Sequence, residues 1–145
     1  MDHVAIMRKN WHLIPKILSG EKTIESRWYM SKFAPWNRIK AGETIYFKNA
    51  GEPVTVKATV DRVFQYENYD QYQLQCILDL YGGSKGICFY SPLPEVFEWA
   101  KNRKYCLLIF LKNPQKIPPF EIDKTGFGNA CAWLTVPQID QIRLS

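Results

Sequence analysis

Residues 22–27, "KTIESR", place a lysine, a threonine, a glutamate and an arginine within one short run. On an extended chain, side chains two positions apart share a face and lie about 7 Å from each other. Arg27 can therefore reach Glu25, or a ligand held between them, with Lys22 and Thr23 close by. Three kinds of chemistry fit that group. Glu and Arg side by side offer acceptors and donors that match the edge of an amide-bearing base. A glutamate whose pKa was raised by burial would transfer protons. The plainest alternative is a solvated strand face with an ion pair worth under about 1 kcal/mol.

Other residues invite similar questions. Lys32, Arg38, Lys40, Lys48, Lys57 and Arg62 are interleaved with Phe33, Trp36, Tyr46 and Phe47. Such a pattern suits a groove that tracks a nucleic-acid backbone and stacks its bases, and it equally suits core aromatics beneath a solvated surface. In "YGGSKGICFY", Lys85 and flexible backbone could approach a phosphate, but the spacing is not that of a P-loop and a helix stop with a turn explains the glycines. "KTGFGNACAW" joins Lys124 to Trp133 in the same unspecific way. Four cysteines (Cys76, Cys88, Cys106, Cys131) are widely spaced and two histidines (His3, His12) complete the soft ligands, so no zinc pattern and no nucleophilic triad emerges. The cysteines read as small core residues of a reducing compartment.

The elements that must position these residues follow from periodicity. "HVAIMR" alternates as a first strand, and "WHLIPKILSG" reads as a short helix with Asn10 as its cap and Gly20 as its stop. Thr23 to Trp28 then forms a strand with Thr23, Glu25 and Arg27 on one face and Ile24, Ser26 and Trp28 on the other. "TIYFKNAG" and "EPVTVKATVDRVFQY" continue as a hairpin turning at Asn49 to Gly51. "DQYQLQCILDLY" and "SPLPEVFEWAKNRK", the latter capped at Ser91, are amphipathic helices. "YCLLIFLK", apolar on both faces, is a central strand. The segment "NPQKIPPFEIDKTGFGN" reads as turn-rich, with "ACAWLTV" and "QIDQIRL" as closing strands.

At 145 residues the chain is expected to form a single α+β domain, residues 1–145: a small, mixed, mainly antiparallel β-barrel flanked by α-helices. The longest apolar run, "CLLIFL", is far too short to span a bilayer, and the N-terminus has no secretory pattern, which predicts a soluble cytoplasmic protein without membrane contact. A net charge of +5 favours an anionic partner.

The order of motifs carries more than any one of them. "SGEKTIESRW" followed by "IKAGETIYFK" resembles the ASCH domain family of the PUA-like superfamily, whose signature G-x-K-x-x-E-x-R falls here on Gly20, Lys22, Glu25 and Arg27. Its follow-on falls on Lys40, Gly42 and Glu43. The resemblance covers residues 4 to about 64 well and is only general beyond. It implies a PUA-like barrel with a cleft along the signature strand, used for RNA or a modified nucleotide, with DNA as an alternative. The expected ligand residues are Lys22, Thr23, Glu25 and Arg27, with Lys48, Lys85 and Trp133 at the rim. One branch of the family implies an amidohydrolase acting on N4-acetylcytidine, and ribonuclease activity is associated with other relatives. In that case Lys22 and Glu25 would be catalytic, although Glu25 stands where that branch has a threonine. No metal or organic cofactor is implied.

Overall fold

The computed structural model of the protein describes residues 1–128 and 131–144. The strands are β1 (Asp2–Met7), β2 (Ile24–Tyr29), β3 (Thr44–Asn49), β4 (Val54–Glu67), β5 (Tyr105–Phe120) and β6 (Trp133–Val136). They form one sheet in the order β2-β5-β4-β3-β1-β6. Every neighbouring pair is antiparallel except β1 with β3, so the expected mixed, mainly antiparallel sheet is present. The sheet curls into a half-barrel, and its two edges, β2 and β6, face each other without a backbone ladder between them.

Alternation along the strands divides the apolar side chains among three cores. In β5, Leu107 and Ile109 point into the concave interior with Ile45, Phe47 and Val56, while Cys106 and Leu108 point outward. Helix α1 (Leu13–Ser19) plugs the interior with Leu13, Ile14 and Ile17. Pro15 sits in its first turn, where its missing N–H is harmless. Gly20 ends the helix at φ 84°, in the left-handed region that a glycine reaches without strain. Helices α2 (Gln71–Tyr81) and α3 (Leu93–Ala100) cover the outer face of β2 and β5. The stripe of Leu74, Ile77 and Leu78 on α2 is buried almost completely, each residue contributing about 1.5–3 kcal/mol. Asp70 caps α2 by accepting from the Gln73 N–H. A third cluster on the convex side gathers Val4, Phe120, Ile122 and Leu134.

Several elements differ from expectation. Asn10 does not cap α1: residues Lys9–Trp11 form a tight 3-10 turn and the helix begins only after His12. Ser91 does not cap α3, which starts behind Pro92 with no side-chain cap. The apparently turn-rich stretch after Lys112 continues as strand to Phe120. Pro114, Pro118 and Pro119 have no ladder partners, because the β4–β5 register slips beside each of them and the bulges absorb residues that cannot donate. "QIDQIRL" is no strand. The Asp2 carboxylate accepts from the Ile139 N–H at 2.8 Å and holds Ile139–Gln141 in a 3-10 turn, leaving one bridge between Arg143 and Ile122. Asn129, the last residue of "NPQKIPPFEIDKTGFGN", and Ala130, the first of "ACAWLTV", lie outside the described residues. Among the described residues no helix is long and apolar enough to cross a membrane.

Candidate functional site

Strand β2 is an edge strand, and that places the charges. In its antiparallel pairing Glu25 lies opposite Ile109 and Arg27 opposite Leu107, so both side chains turn toward the concave interior at the open seam of the half-barrel. Ile24 and Trp28 turn the other way, into the core under α2 and α3. Neither face is a solvated surface. A cleft of about 560 Å³ opens over this edge and takes in Lys22, Glu25, Ser26, Arg27 and Trp28 from β2 and the residues just before it.

The floor of the cleft is a three-membered charge network. Glu25 is 4% exposed and Lys22 3% exposed. One Glu25 oxygen lies 3.4 Å from Lys22 Nζ and the other accepts from Arg27 Nη2 at 2.8 Å. Lys22 Nζ also donates to the Ile87 carbonyl at 2.5 Å. Arg27 crosses the seam: its Nη1 donates to the Ala132 carbonyl at 3.2 Å, just before β6, and its guanidinium lies 5.0 Å from the Trp133 ring centroid. Burial pushes the Glu25 pKa up, but Arg27 and Lys22 together outweigh it and hold the carboxyl below its ordinary value. Burial lowers the pKa of Lys22, and Glu25 opposes that shift only in part. Glu25 is therefore a firmly ionised acceptor, and a weak base.

Aromatic side chains make the walls. Trp11 and Tyr90 stack at 5.7 Å with planes 9° apart, Arg8 lies over Trp11, and Trp99 meets Trp28 edge-on. Tyr90 and Trp99 are 57% and 45% exposed and are free to offer ring faces to a ligand. Three cations, Arg8, Lys22 and Arg27, stand against two carboxylates, Glu25 and Glu95, around the cleft. These walls were not legible beforehand, since Trp11 stands 79 residues before Tyr90 and 88 before Trp99, and their meeting depends on tertiary packing.

Of the remaining sequence candidates, Trp133 touches the charged trio from behind and Thr23, Lys48 and Lys85 stand apart from it; none of the four lines the cleft. Thr23 donates its hydroxyl to the Lys85 carbonyl at 2.8 Å, away from the cleft, and Lys85 lines a separate, smaller cleft behind it. Lys48 is buried at 5% exposure on β3, with its pKa lowered by burial and by Lys124. Trp133 is core at 3% exposure, a backing for Arg27 and no part of a rim. Phe47 and Trp36 belong to the interior and Tyr46 packs against the third cluster, which leaves Phe33 alone exposed, so the interleaved aromatics of that region form no stacking groove.

A residue passed over in the sequence explains the second half of the motif. His3 is fully buried, and the Trp133 indole N–H donates to its Nδ1 at 3.1 Å. Since that indole is only a donor, the ring proton sits on Nε2, which donates to Glu43 at 2.9 Å. Glu43 also accepts from the Lys40 N–H and pairs with the N-terminal ammonium, closing the turn in which Gly42 adopts φ 90°. Lys40, Gly42 and Glu43 build a turn, and the cleft belongs to Lys22, Glu25 and Arg27. Among the described residues no group of His, Cys, Asp and Glu is arranged to hold a metal.

No protein-family model matches the sequence, and no curated protein matches it. Solved structures do match. The chain is similar to ASCH from Zymomonas mobilis with a TM-score of 0.66 at 15% identity, over 97% of this chain and 90% of that one. A ZmASCH mutant protein from the same organism gives the same TM-score at 16% identity, with 97% and 93% covered. This is the ASCH fold. A hypothetical protein, PH0355, matches at a TM-score of 0.51 and 19% identity over 81% of this chain and its own whole length. At such identities the likeness concerns the ASCH fold, and the side chains of the cleft must be argued from this chain's own geometry.

Proposed function

We propose that the cleft binds single-stranded RNA through one base or nucleotide, in a protein of the cytoplasm, with DNA as the weaker alternative ligand. The observation that carries this reading is the buried Glu25 carboxylate held between Lys22 and Arg27 on the floor of an aromatic-walled cleft of about 560 Å³. Its size suits a nucleoside-sized ligand. The fixed carboxylate takes an exocyclic amine, the cations take a carbonyl or phosphate oxygen, and the exposed rings take the base face. The ASCH fold, which the chain shares with its structural neighbours, supports the reading at the level of architecture.

Titration of fluorescent single-stranded RNA at low and high salt tests it. Expected are a salt-dependent affinity and losses of tenfold or more for Lys22→Ala and Arg27→Ala with retained fold. Equal, salt-insensitive affinity in all three proteins would end the proposal.

A second reading, hydrolysis of N4-acetylcytidine or a related small amide, draws on the lowered pKa of Lys22, which makes its ammonium a better proton donor. Against it, the Thr23 hydroxyl is engaged with Lys85 and Glu25 is a weak base. Holding is favoured over cutting. Incubation with N4-acetylcytidine decides the matter: turnover by the wild type that Lys22→Ala lacks would make the protein an amidohydrolase.

A further inference from the structure

The loop of residues 83–89 is a wall with a cleft on each side. Ile87, Cys88 and Phe89 line the main cleft, whereas Gly83 to Gly86 line a second one of about 310 Å³ together with Thr23, Arg62 and Phe110. The wall is stitched tightly to the start of β2. The N–H groups of Thr23 and Ile24 both donate to the Gly86 carbonyl, the Thr23 hydroxyl donates to the Lys85 carbonyl, and the Lys85 N–H donates to the Glu21 carbonyl. Only a glycine fits at Gly86, where a Cβ would stand 2.2 Å from the Tyr81 carbonyl oxygen. These bonds hold Lys85 in the left-handed region at φ 65°, a conformation that a lysine adopts only at some cost in strain.

Two cations meet in the second cleft. Arg62 lies over Phe110, its guanidinium carbon 4.2 Å from the ring centroid, and is also over Phe64, so two aromatic rings hold the cation at this edge of the cleft. Among the described residues neither Arg62 nor Lys85 is paired with a carboxylate, and the adjacent Asp61 is taken by Lys112. The Tyr81 and Leu78 carbonyls at the end of α2, which would repel an anion, are already bonded by the N–H groups of Ile87 and Gly82. Ser84 adds a hydroxyl.

We propose that this second cleft is a phosphate subsite: it takes the backbone phosphodiester of the nucleotide adjoining the one in the main cleft, with Arg62 and Lys85 as its cations. The inference rests on the reading of the main cleft as a base or nucleotide site. A strand crossing the wall places neighbouring units on its two sides, and Lys22 and Thr23, consecutive in sequence, mark them.

The test compares two probes, cytidine and a single-stranded tetranucleotide, by calorimetry on the wild type and on Arg62→Gln/Lys85→Gln. Both positions are exposed, so the variant is expected to melt as the wild type does. A tetranucleotide that binds at least tenfold tighter than cytidine in the wild type is expected, with that advantage lost in the variant, cytidine affinity unchanged, and the salt slope reduced by about 0.7 for each lost contact. Unaltered tetranucleotide affinity and slope in the variant, with cytidine still bound, would overturn the phosphate subsite alone. Failure of both probes to bind the wild type would overturn the main-cleft reading and this inference with it.

Discussion

Among the described residues two polar networks are buried, 5.0 Å apart where the Arg27 guanidinium covers the Trp133 ring. Lys22, Glu25 and Arg27 form one; His3, Glu43 and Trp133 form the other. They come from the two halves of a single sequence motif and from neighbouring elements, yet only the first opens onto a cleft. The second closes a turn and ties the N-terminus to β6, with a neutral histidine that fits because Trp133 and Thr135 face its accepting Nδ1 and Glu43 faces its donating Nε2. The first keeps three full charges where the chain could have placed apolar residues. Burying an ionic triad is rarely a gain in stability over a packed apolar substitute, so its presence at the open seam points to a ligand, while the His3 network is accounted for by architecture.

Substitution separates the two most strongly at Glu25. Glu25→Ala leaves Lys22 and Arg27 buried without their counter-charge and is expected to destabilise the fold by about 3–5 kcal/mol in urea denaturation. Replacing the whole triad (Lys22→Met, Glu25→Leu, Arg27→Met) removes the uncompensated charge, and stability is expected to return to the wild-type level or above it while RNA binding is lost. A triple variant as unstable as Glu25→Ala would show that the triad is structural in the same sense as the His3 network.

Acidification separates them next, by pH. His3 has its pKa lowered from 6.5, first by burial, although Glu43 pulls it upward. The unfolded chain then binds a proton below pH 6.5 that the native state refuses, so stability present above 6.5 falls as the pH drops toward the native pKa. Protonation would also turn Nδ1 into a donor facing the Trp133 N–H. Glu25, held below 4.5 in the fold, contributes stability above 4.5 that is lost as the pH falls further, and Glu43 adds to that lower step. Chemical denaturation across pH 3–8 is expected to show two declines, and His3→Gln to flatten only the upper one.

The sequence was most informative where local and tertiary demands agree. Strand β2, the two-faced apolar β5 and helix α2 all follow from the periodicity of their own residues, whereas the cap of α2 at Asp70 was seen only in the structure. The charged trio was visible as well, as a spacing. Its burial was not, because two faces of one strand cannot both be assigned to a core until it is known that the strand lies at an edge against a seam. The prolines of β5 misled for a related reason: whether Pro114, Pro118 and Pro119 end a strand depends on whether the partner strand slips register beside them. Thr23 sits in the same run as Glu25 but its hydroxyl leaves with the 83–89 loop, a partner more than 60 residues away that no spacing announces. His3 looked inert because its partners, Glu43 and Trp133, lie 40 and 130 residues away.

Two mild substitutions sharpen the contrast by acting on one readout each. Tyr90 is exposed and stacked on Trp11 at the cleft wall, so Tyr90→Ala is expected to weaken RNA binding by about 1–3 kcal/mol while stability stays within about 0.5 kcal/mol. Thr135 belongs to the other network, its hydroxyl 3.1 Å from His3 Nδ1. Thr135→Val keeps the shape and removes one of two hydrogen-bond partners of that nitrogen, leaving the Trp133 N–H in place. Stability is expected to fall by about 1 kcal/mol, read as a lower melting temperature, with RNA affinity unchanged. If Thr135→Val weakened binding as much as Tyr90→Ala does, the contact of Arg27 with Trp133 would be transmitting the state of the closed network to the cleft, and the two could no longer be treated as separate devices.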